Sequence, residues 1–163
     1  MTTNDPQRLA APPEALDDDP LIRTVMSSRI VGIVPTAPLT TALRLMIAGG
    51  VRHLPVVEDG RYGTLVSEVD LLQGIAAQHG PLGLAHLSVG DVASPAPTIT
   101  EDARLSEAAR RMRTANRDAV LVVRDEQLLG ILTATDLIRA WAARAAPQHP
   151  PQGWPLVRPG ANE

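Results

Sequence analysis

The sequence predicts an α+β fold with α/β-type layers, built from tandem β-α-β-β-α units. Three observations predict it: an internal repeat, apolar spacing that switches between strand and helix periods in the same order in each copy, and turn-forming residues where the period changes. Sliding the 163-residue chain by 66 positions superposes Leu39 on Leu105, Ala42 on Ala108, Arg44 on Arg110, Met46 on Met112, Val56-Val57 on Val122-Val123, Asp59 on Asp125 and Asp70-Leu71 on Asp136-Leu137, with no gap. The matches fall at apolar and polar positions alike, the signature of a duplicated supersecondary unit. A unit of about 55 residues buries too little surface to stand alone, whereas two stacked sheet to sheet share a core.

The elements follow in order. Val31 to Val34 and Pro97 to Ile99 read as short entry strands. A helix follows in each copy, with Leu39, Ala42, Leu43, Met46 and Ile47 on one face of the first, and Leu105, Ala108, Ala109 and Met112 inward on the second. Gly49-Gly50 ends the first helix. Two strands come next: His53 to Glu58 and Tyr62 to Val66, then Ala119 to Arg124 and Gln127 to Leu132. Asp59-Gly60 and, less ideally, Asp125-Glu126 provide the hairpin turns. A closing helix runs from about Glu68 to Gln78 and from about Ala134 to Ala145. The organisation is a tail over 1–19, a first copy over 20–79, a linker over 80–88, a second copy over 89–146 and a tail over 147–163. The tails carry prolines, the run Asp17-Asp18-Asp19 and Trp154, and read as disordered.

Composition narrows the function classes. Hydrophobic residues make up 44% but aromatics 2%, with no Phe, so the core is aliphatic. There is no Cys, which excludes disulfides, thiolate metal sites and Cys nucleophiles. All 15 basic residues are Arg, so a Schiff-base Lys and a Walker-type phosphate Lys are excluded. The net charge of −3 disfavours nucleic acid. No apolar run approaches the roughly 18 residues of a membrane span, and the start is polar; a cytoplasmic location with no membrane partner is expected. The Arg, Ala and Pro bias fits a GC-rich bacterial genome. His53, His79, His86 and His149 show no ligand spacing with acids, so no metal site and no catalytic residue is assigned. Glu101-Asp102 are expected to sit at a helix start, favoured by its dipole.

The chemistry-bearing feature is a hydroxyl residue ending a strand with an acid three positions on: Ser67-Glu-Val-Asp70 and Thr133-Ala-Thr-Asp136. One reading is a helix N-cap with an acid in the first turn. The other is a ribose clamp, in which a carboxylate accepts from a diol while the helix N-terminus meets a phosphate. The spacing alone serves both.

Taken together, Leu39-(x)6-Met46, Leu54-Pro55-Val56-Val57, the Asp-Gly turn and Ser67-x-x-Asp70-Leu71-Leu72, repeated as Leu105-(x)6-Met112, Val122-Val123 and Gly130-Ile131-Leu132-Thr133-x-x-Asp136-Leu137-Ile138, resemble the CBS domain family over about residues 20 to 145. Thr24-Val25-Met26-Ser27 is similar to that family's entry to its first copy. The resemblance implies tandem CBS copies packed as a pseudo-twofold pair, a Bateman module, that is regulatory and not an enzyme, forms a homodimer, and binds an adenosine nucleotide in clefts between copies. AMP, ADP or ATP is the implied ligand, with magnesium only alongside the nucleotide; S-adenosylmethionine and NAD rank behind. Asp70 and Asp136 would hold ribose, and Ser67 and Thr133 would approach phosphate. Ile33, Val34, Thr98 and Ile99 would flank the adenine, with His53, Leu54, Pro55, Asp118, Ala119 and Val120 opposite. Arg52 and Arg117 would meet phosphate oxygens. The reader of the signal would be a separate effector protein, since no effector domain is attached to the pair. The alternative is a structural or protein-interaction module without a nucleotide. The copies also differ: Thr64 matches Gly130, and Asp118 matches Arg52. Thr64 is expected to narrow the first cleft and Asp118 to repel phosphate, so the clefts should be unequal.

Overall fold

The structure is a computed structural model and describes residues 19–77 and 87–144. The expectations for the tails, most of the linker, Trp154, His79, His86 and His149 lie outside the described residues.

Each copy forms a three-stranded sheet with helices on one face. The first contains α1 (Leu39–Gly49), β1 (His53–Glu58), β2 (Arg61–Ser67) and α2 (Glu68–Ala77). A short α3 (Val89–Val92) and β3 (Ser94–Pro95) lead into β4 (Thr98–Thr100), α4 (Leu105–Ala115), β5 (Ala119–Arg124), β6 (Gln127–Thr133) and α5 (Ala134–Ala142). The strand order is β1-β2-β3 in one sheet and β4-β5-β6 in the other.

The period of two along the strands builds three layers of core. Leu54, Val56 and Val66 point to their own helices and meet Leu39, Ala42, Met46 and Leu71. Val120, Val122 and Leu132 do the same with Leu105, Ala108 and Met112. Residues of opposite parity, Leu65, Ala119, Leu121 and Ile131, pack sheet against sheet. Both hairpins turn through consecutive left-handed residues, Asp59 (φ 49°) with Gly60 (φ 73°) and Asp125 (φ 46°) with Glu126 (φ 61°). That is the pattern of a type I′ turn, whose twist matches the flanking strands.

Several expectations change. The entry strand at Val31 to Val34 shrinks to one parallel bridge, Ile33 to Val56. Ile33 N–H donates to Pro55 O and Val57 N–H to Ile33 O, both at 2.9 Å; the next donor in that ladder would be residue 35, a proline with no N–H. On α1 the buried stripe is Leu39, Ala42 and Met46, while Leu43 and Ile47 face outward, Ile47 at 73% exposure. Ala109 on α4 is likewise exposed. Glu101 and Asp102 precede the α4 N-cap, Arg104, and pair with Arg124 and Arg23 respectively instead of with the helix dipole.

The entry segments cross over. Ile22 is fully buried in the core of the second copy, and Val89, with Leu87 and Val92 against it, belongs to the core of the first. Ser27 and Ile131 exchange two backbone hydrogen bonds of 3.0 and 3.1 Å, extending the second sheet. Ser94 and Pro95 extend the first through Leu65 and Thr64. Asp19 accepts from Ser106 N–H at 2.8 Å and from its hydroxyl at 2.7 Å, tying the start of the described chain to α4. Burial raises the Asp19 carboxyl, but the Ser106 hydrogen bonds and the Arg104 and Arg110 charges outweigh it and hold the group below its ordinary value.

Candidate functional site

The crossing puts the end of each β-hairpin beside the start of the other copy's first hairpin strand, and two clefts open there. The first has a volume of about 350 Å³ and is lined by Ser27, Arg29, Ile30 and Val31 from the entry segment, Gly50 to His53 and Pro55 from the first copy, and Asp118, Ile131, Thr133 to Asp136 and Arg139 from the second. The second, of about 670 Å³, is lined by Ser67, Val69, Asp70, Gln73 and Ser94 with Met112, Arg113 and Ala115 to Asp118. Asp118 lines both.

The two hydroxyl–acid pairs are capping boxes. Thr133 caps α5 by accepting Asp136 N–H at 3.3 Å, while Asp136 Oδ2 accepts Thr133 N–H at 2.9 Å and its hydroxyl at 2.7 Å. Ser67 and Asp70 repeat this at 3.1, 2.8 and 2.7 Å. In each pair the cap engages one carboxylate oxygen and leaves Oδ1 for something else. Asp136 Oδ1 has Arg139 Nη1 at 3.6 Å, beyond hydrogen-bond range. Asp70 Oδ1 accepts from Arg117 Nη1 at 3.2 Å and lies 3.4 Å from Ser94 Oγ.

Around the Asp136 cleft, Arg52 Nη2 donates to Thr135 Oγ1 at 3.0 Å, and His53 Nε2 lies 2.7 Å from Asp118 Oδ1. The lining includes three arginines, Arg29, Arg52 and Arg139, and two acids, Asp118 and Asp136. The cleft also meets the positive end of α5. The Asp70 cleft balances Arg113 and Arg117 against Asp70 and Asp118. Among the described residues no group of three His, Asp or Glu side chains is placed to hold a metal ion.

The CBS domain family profile matches residues 22–75 and again 89–143. The chain belongs to the CBS domain family. Its two CBS copies share their fold with solved CBS pairs. One is the CBS domain pair of protein MJ0100 in complex with 5′-methylthioadenosine and S-adenosyl-L-methionine, with a TM-score of 0.69 at 20% identity, covering 78% of this chain and 99% of that one. Another is CBSX2 in complex with AMP, with a TM-score of 0.62 at 27% identity, covering 76% and 96%. A third is the CBS-domain containing protein ATU1752 from Agrobacterium tumefaciens, with a TM-score of 0.67 at 19% identity, covering 74% and 92%. No curated protein sequence matches the chain.

Of the residues singled out in the sequence, Arg52, His53, Pro55, Asp118, Thr133 and Asp136 meet at the first CBS cleft, and Ser67, Asp70, Arg117 and Asp118 at the second. The rest are elsewhere. Ile33 and Leu54 are buried in the first helix-side core, and Ile99 and Val120 in the second. Ala119 lies between the sheets. Val34 and Thr98 are exposed and line neither cleft. Strand parity explains Ile33, Leu54, Ile99 and Val120: alternate residues of an entry strand or of β1 and β5 face helices, not the cleft. The apolar wall of the first cleft is instead Ile30 and Val31, just before Ile33. Thr64 narrows neither CBS cleft; it pairs with Pro95 and borders a separate small concavity beside Tyr62. Sequence reasoning missed Ser27, Arg29, Thr135, Arg139, Ser94 and Arg113. For Thr135 and Arg139 the signal was available, since they flank Asp136 on the same helix. For Ser27, Arg29 and Ser94 it depends on the crossover, which no local pattern encodes.

Proposed function

We propose that this CBS pair is a regulatory, non-catalytic binder of an adenosine nucleotide, AMP, ADP or ATP, in the cleft of Asp136. One observation carries the reading: Asp136 keeps an oxygen free of hydrogen bonds at a cleft whose lining includes three arginines. A ribose diol donates to that oxygen, the Arg29, Arg52 and Arg139 side chains meet phosphate, and Ile30, Val31 and Pro55 supply apolar walls for a purine. The AMP of CBSX2 and the adenosyl ligands of MJ0100 support the ligand class. Occupancy joins the entry segment, the first copy and the second, so it favours one arrangement of the pair to the extent of its differential affinity, and an effector protein reads that arrangement.

The reading includes a homodimer. Leu43 and Ile47 on α1, Val69 and Leu72 on α2, and Ile138 and Trp141 on α5 are large apolar side chains left exposed on helices, the kind of surface that a partner covers. Sedimentation of the wild type should give a dimer, and Ile47→Glu should shift it toward monomer.

The test of the ligand is thermal stability with AMP, ADP, ATP, NAD and S-adenosylmethionine, with and without magnesium. A ligand at 100 times its dissociation constant stabilises by about 2.7 kcal/mol, several degrees. Asp136→Asn, which removes the charge but keeps the side-chain shape, should weaken AMP binding by about 2–4 kcal/mol, roughly 30- to 1,000-fold. A flat panel would leave the protein-interaction module as the better account, and unchanged affinity in Asp136→Asn would remove the ribose role.

A further inference from the structure

The two clefts are related by the repeat, yet their mouths carry unlike residues. Position 51 is a valine, and 66 positions on its counterpart is Arg117. Val51 lines the first cleft as an apolar surface. Arg117 instead reaches across the second cleft and donates from Nη1 to Asp70 Oδ1 at 3.2 Å. Asp70 Oδ2 already accepts Ser67 N–H at 2.8 Å and Ser67 Oγ–H at 2.7 Å. Both oxygens of Asp70 therefore accept hydrogen bonds from the protein, whereas Asp136 Oδ1 accepts none and has only the Arg139 ion pair at 3.6 Å beside it.

We propose that Arg117 is an internal latch: it occupies on Asp70 the place a ribose diol takes on Asp136, and so limits the chain to one nucleotide. The inference rests on the nucleotide reading of the Asp136 cleft. Burial separates the two carboxylates further. The Arg117 and Asp70 side chains are 25% and 8% exposed, against 77% and 18% for Arg139 and Asp136, whose closest approach is 3.6 Å. Screening by water and salt weakens the second contact far more than the first. A nucleotide entering the Asp70 cleft has to break a charge-assisted hydrogen bond before its own diol is accepted, and binds there at least about tenfold more weakly. Asp118 stands at the repeat position of Arg52, so the second cleft has an acid where the first has a cation; Asp118 lines both clefts and its Oδ1 is held by His53 Nε2 at 2.7 Å.

A reciprocal exchange tests the latch. Calorimetric titration with AMP should give one site per wild-type chain, lost in Asp136→Asn. Arg117→Val should add a second site, and Arg117→Val with Asp70→Asn should remove that second site again. Val51→Arg should abolish the wild-type site by latching Asp136. Two AMP per wild-type chain would overturn the proposal, as would a well-folded Arg117→Val protein that still binds only one. A ligand-free measurement stands beside these. In a thermal double-mutant cycle, Arg117→Val and Asp70→Asn should be strongly non-additive, and simple additivity would overturn the latch whatever AMP does. No AMP binding in wild type or Arg117→Val, with the coupling intact, would instead overturn the nucleotide reading and with it the limit on stoichiometry.

Discussion

Adding one methyl group at Gly130 should uncouple the entry segment from the second sheet. Gly130 lies opposite Val122 in the β5–β6 hairpin. A Cβ built there would sit 2.7 Å from Ser27 O and 3.0 Å from Met26 Sδ. The first contact is to backbone, which cannot swing aside as a side-chain tip can. In Gly130→Ala the Met26-Ser27 segment has to lift, straining or breaking the two hydrogen bonds between Ser27 and Ile131. Two backbone bonds at about 1 kcal/mol each and an overpacking cost of about 1–3 kcal/mol, only partly additive, give a loss of about 2–4 kcal/mol. At about 4 °C per kcal/mol for a chain of this size, the melting temperature should fall by about 8–16 °C. The assay is thermal unfolding by circular dichroism, paired with amide exchange at Ile131, whose N–H donates to Ser27 O. Because Ser27 also lines the Asp136 cleft, AMP binding should weaken in the same variant. A melting temperature within 2 °C of wild type with Ile131 still protected would refute the claim that this close approach requires glycine.

Two other predictions test separate links. Acid should loosen the crossed entry segments first. Asp19 and Asp91 both titrate below the ordinary carboxyl value. In Asp19, burial is outweighed by Ser106, Arg104 and Arg110, and Asp91 is lowered by its Ser88 backbone and hydroxyl hydrogen bonds. A depressed folded-state pKa contributes stability that is fully present above the unfolded value, about 3.9, and is lost as pH falls through the folded one. Melting temperature should hold from pH 7 to about 5 and drop below about 4, with a smaller drop in Asp19→Asn; an equal drop in that variant would count against the Asp19 contact. Glu126→Gly should stabilise the second hairpin by about 0.5–1 kcal/mol, since Glu126 sits at φ 61°, where a Cβ costs about 1–2 kcal/mol and glycine's extra chain entropy returns part of it. A lower melting temperature in Glu126→Gly would contradict that reading of the turn.

Where sequence pattern and physical cause coincide, the chain was readable. β1 and β5 begin and end where alternation and the turn residues put them, because strand period and turn chemistry are both local. The α1 face was only half readable: Leu39, Ala42 and Met46 turn inward, but Leu43 and Ile47 share their side of the helical wheel and look outward. Apolar spacing alone cannot separate a surface covered within one chain from a surface left for another. The entry strand at Ile33 failed for a different local reason, the missing N–H of Pro35, which was present in the sequence. The crossover of the entry segments is not local at all. It is held by Ile22 in the far core and by the Ser27–Ile131 pair, contacts about 80 to 104 positions apart. The cleft walls Ser27, Arg29, Ile30 and Val31 follow from that crossover, so they were out of reach of any reading by motif.

The capping boxes show why matched motifs did not settle matched function. Ser67-Asp70 and Thr133-Asp136 make the same local hydrogen bonds, so duplication preserved the part of the motif that stabilises a helix. What separates them lies on the opposite copy, where Val51 lines the cleft of one carboxylate and Arg117 donates to the other. The side chain proposed to close a cleft is thus encoded about 50 positions from the acid it contacts, in a repeat position where the sequence comparison shows only a mismatch. A duplicated module gains unequal sites in this way without altering either cap: the folding role of each acid is held within its own copy, and its availability to a ligand is set by the other.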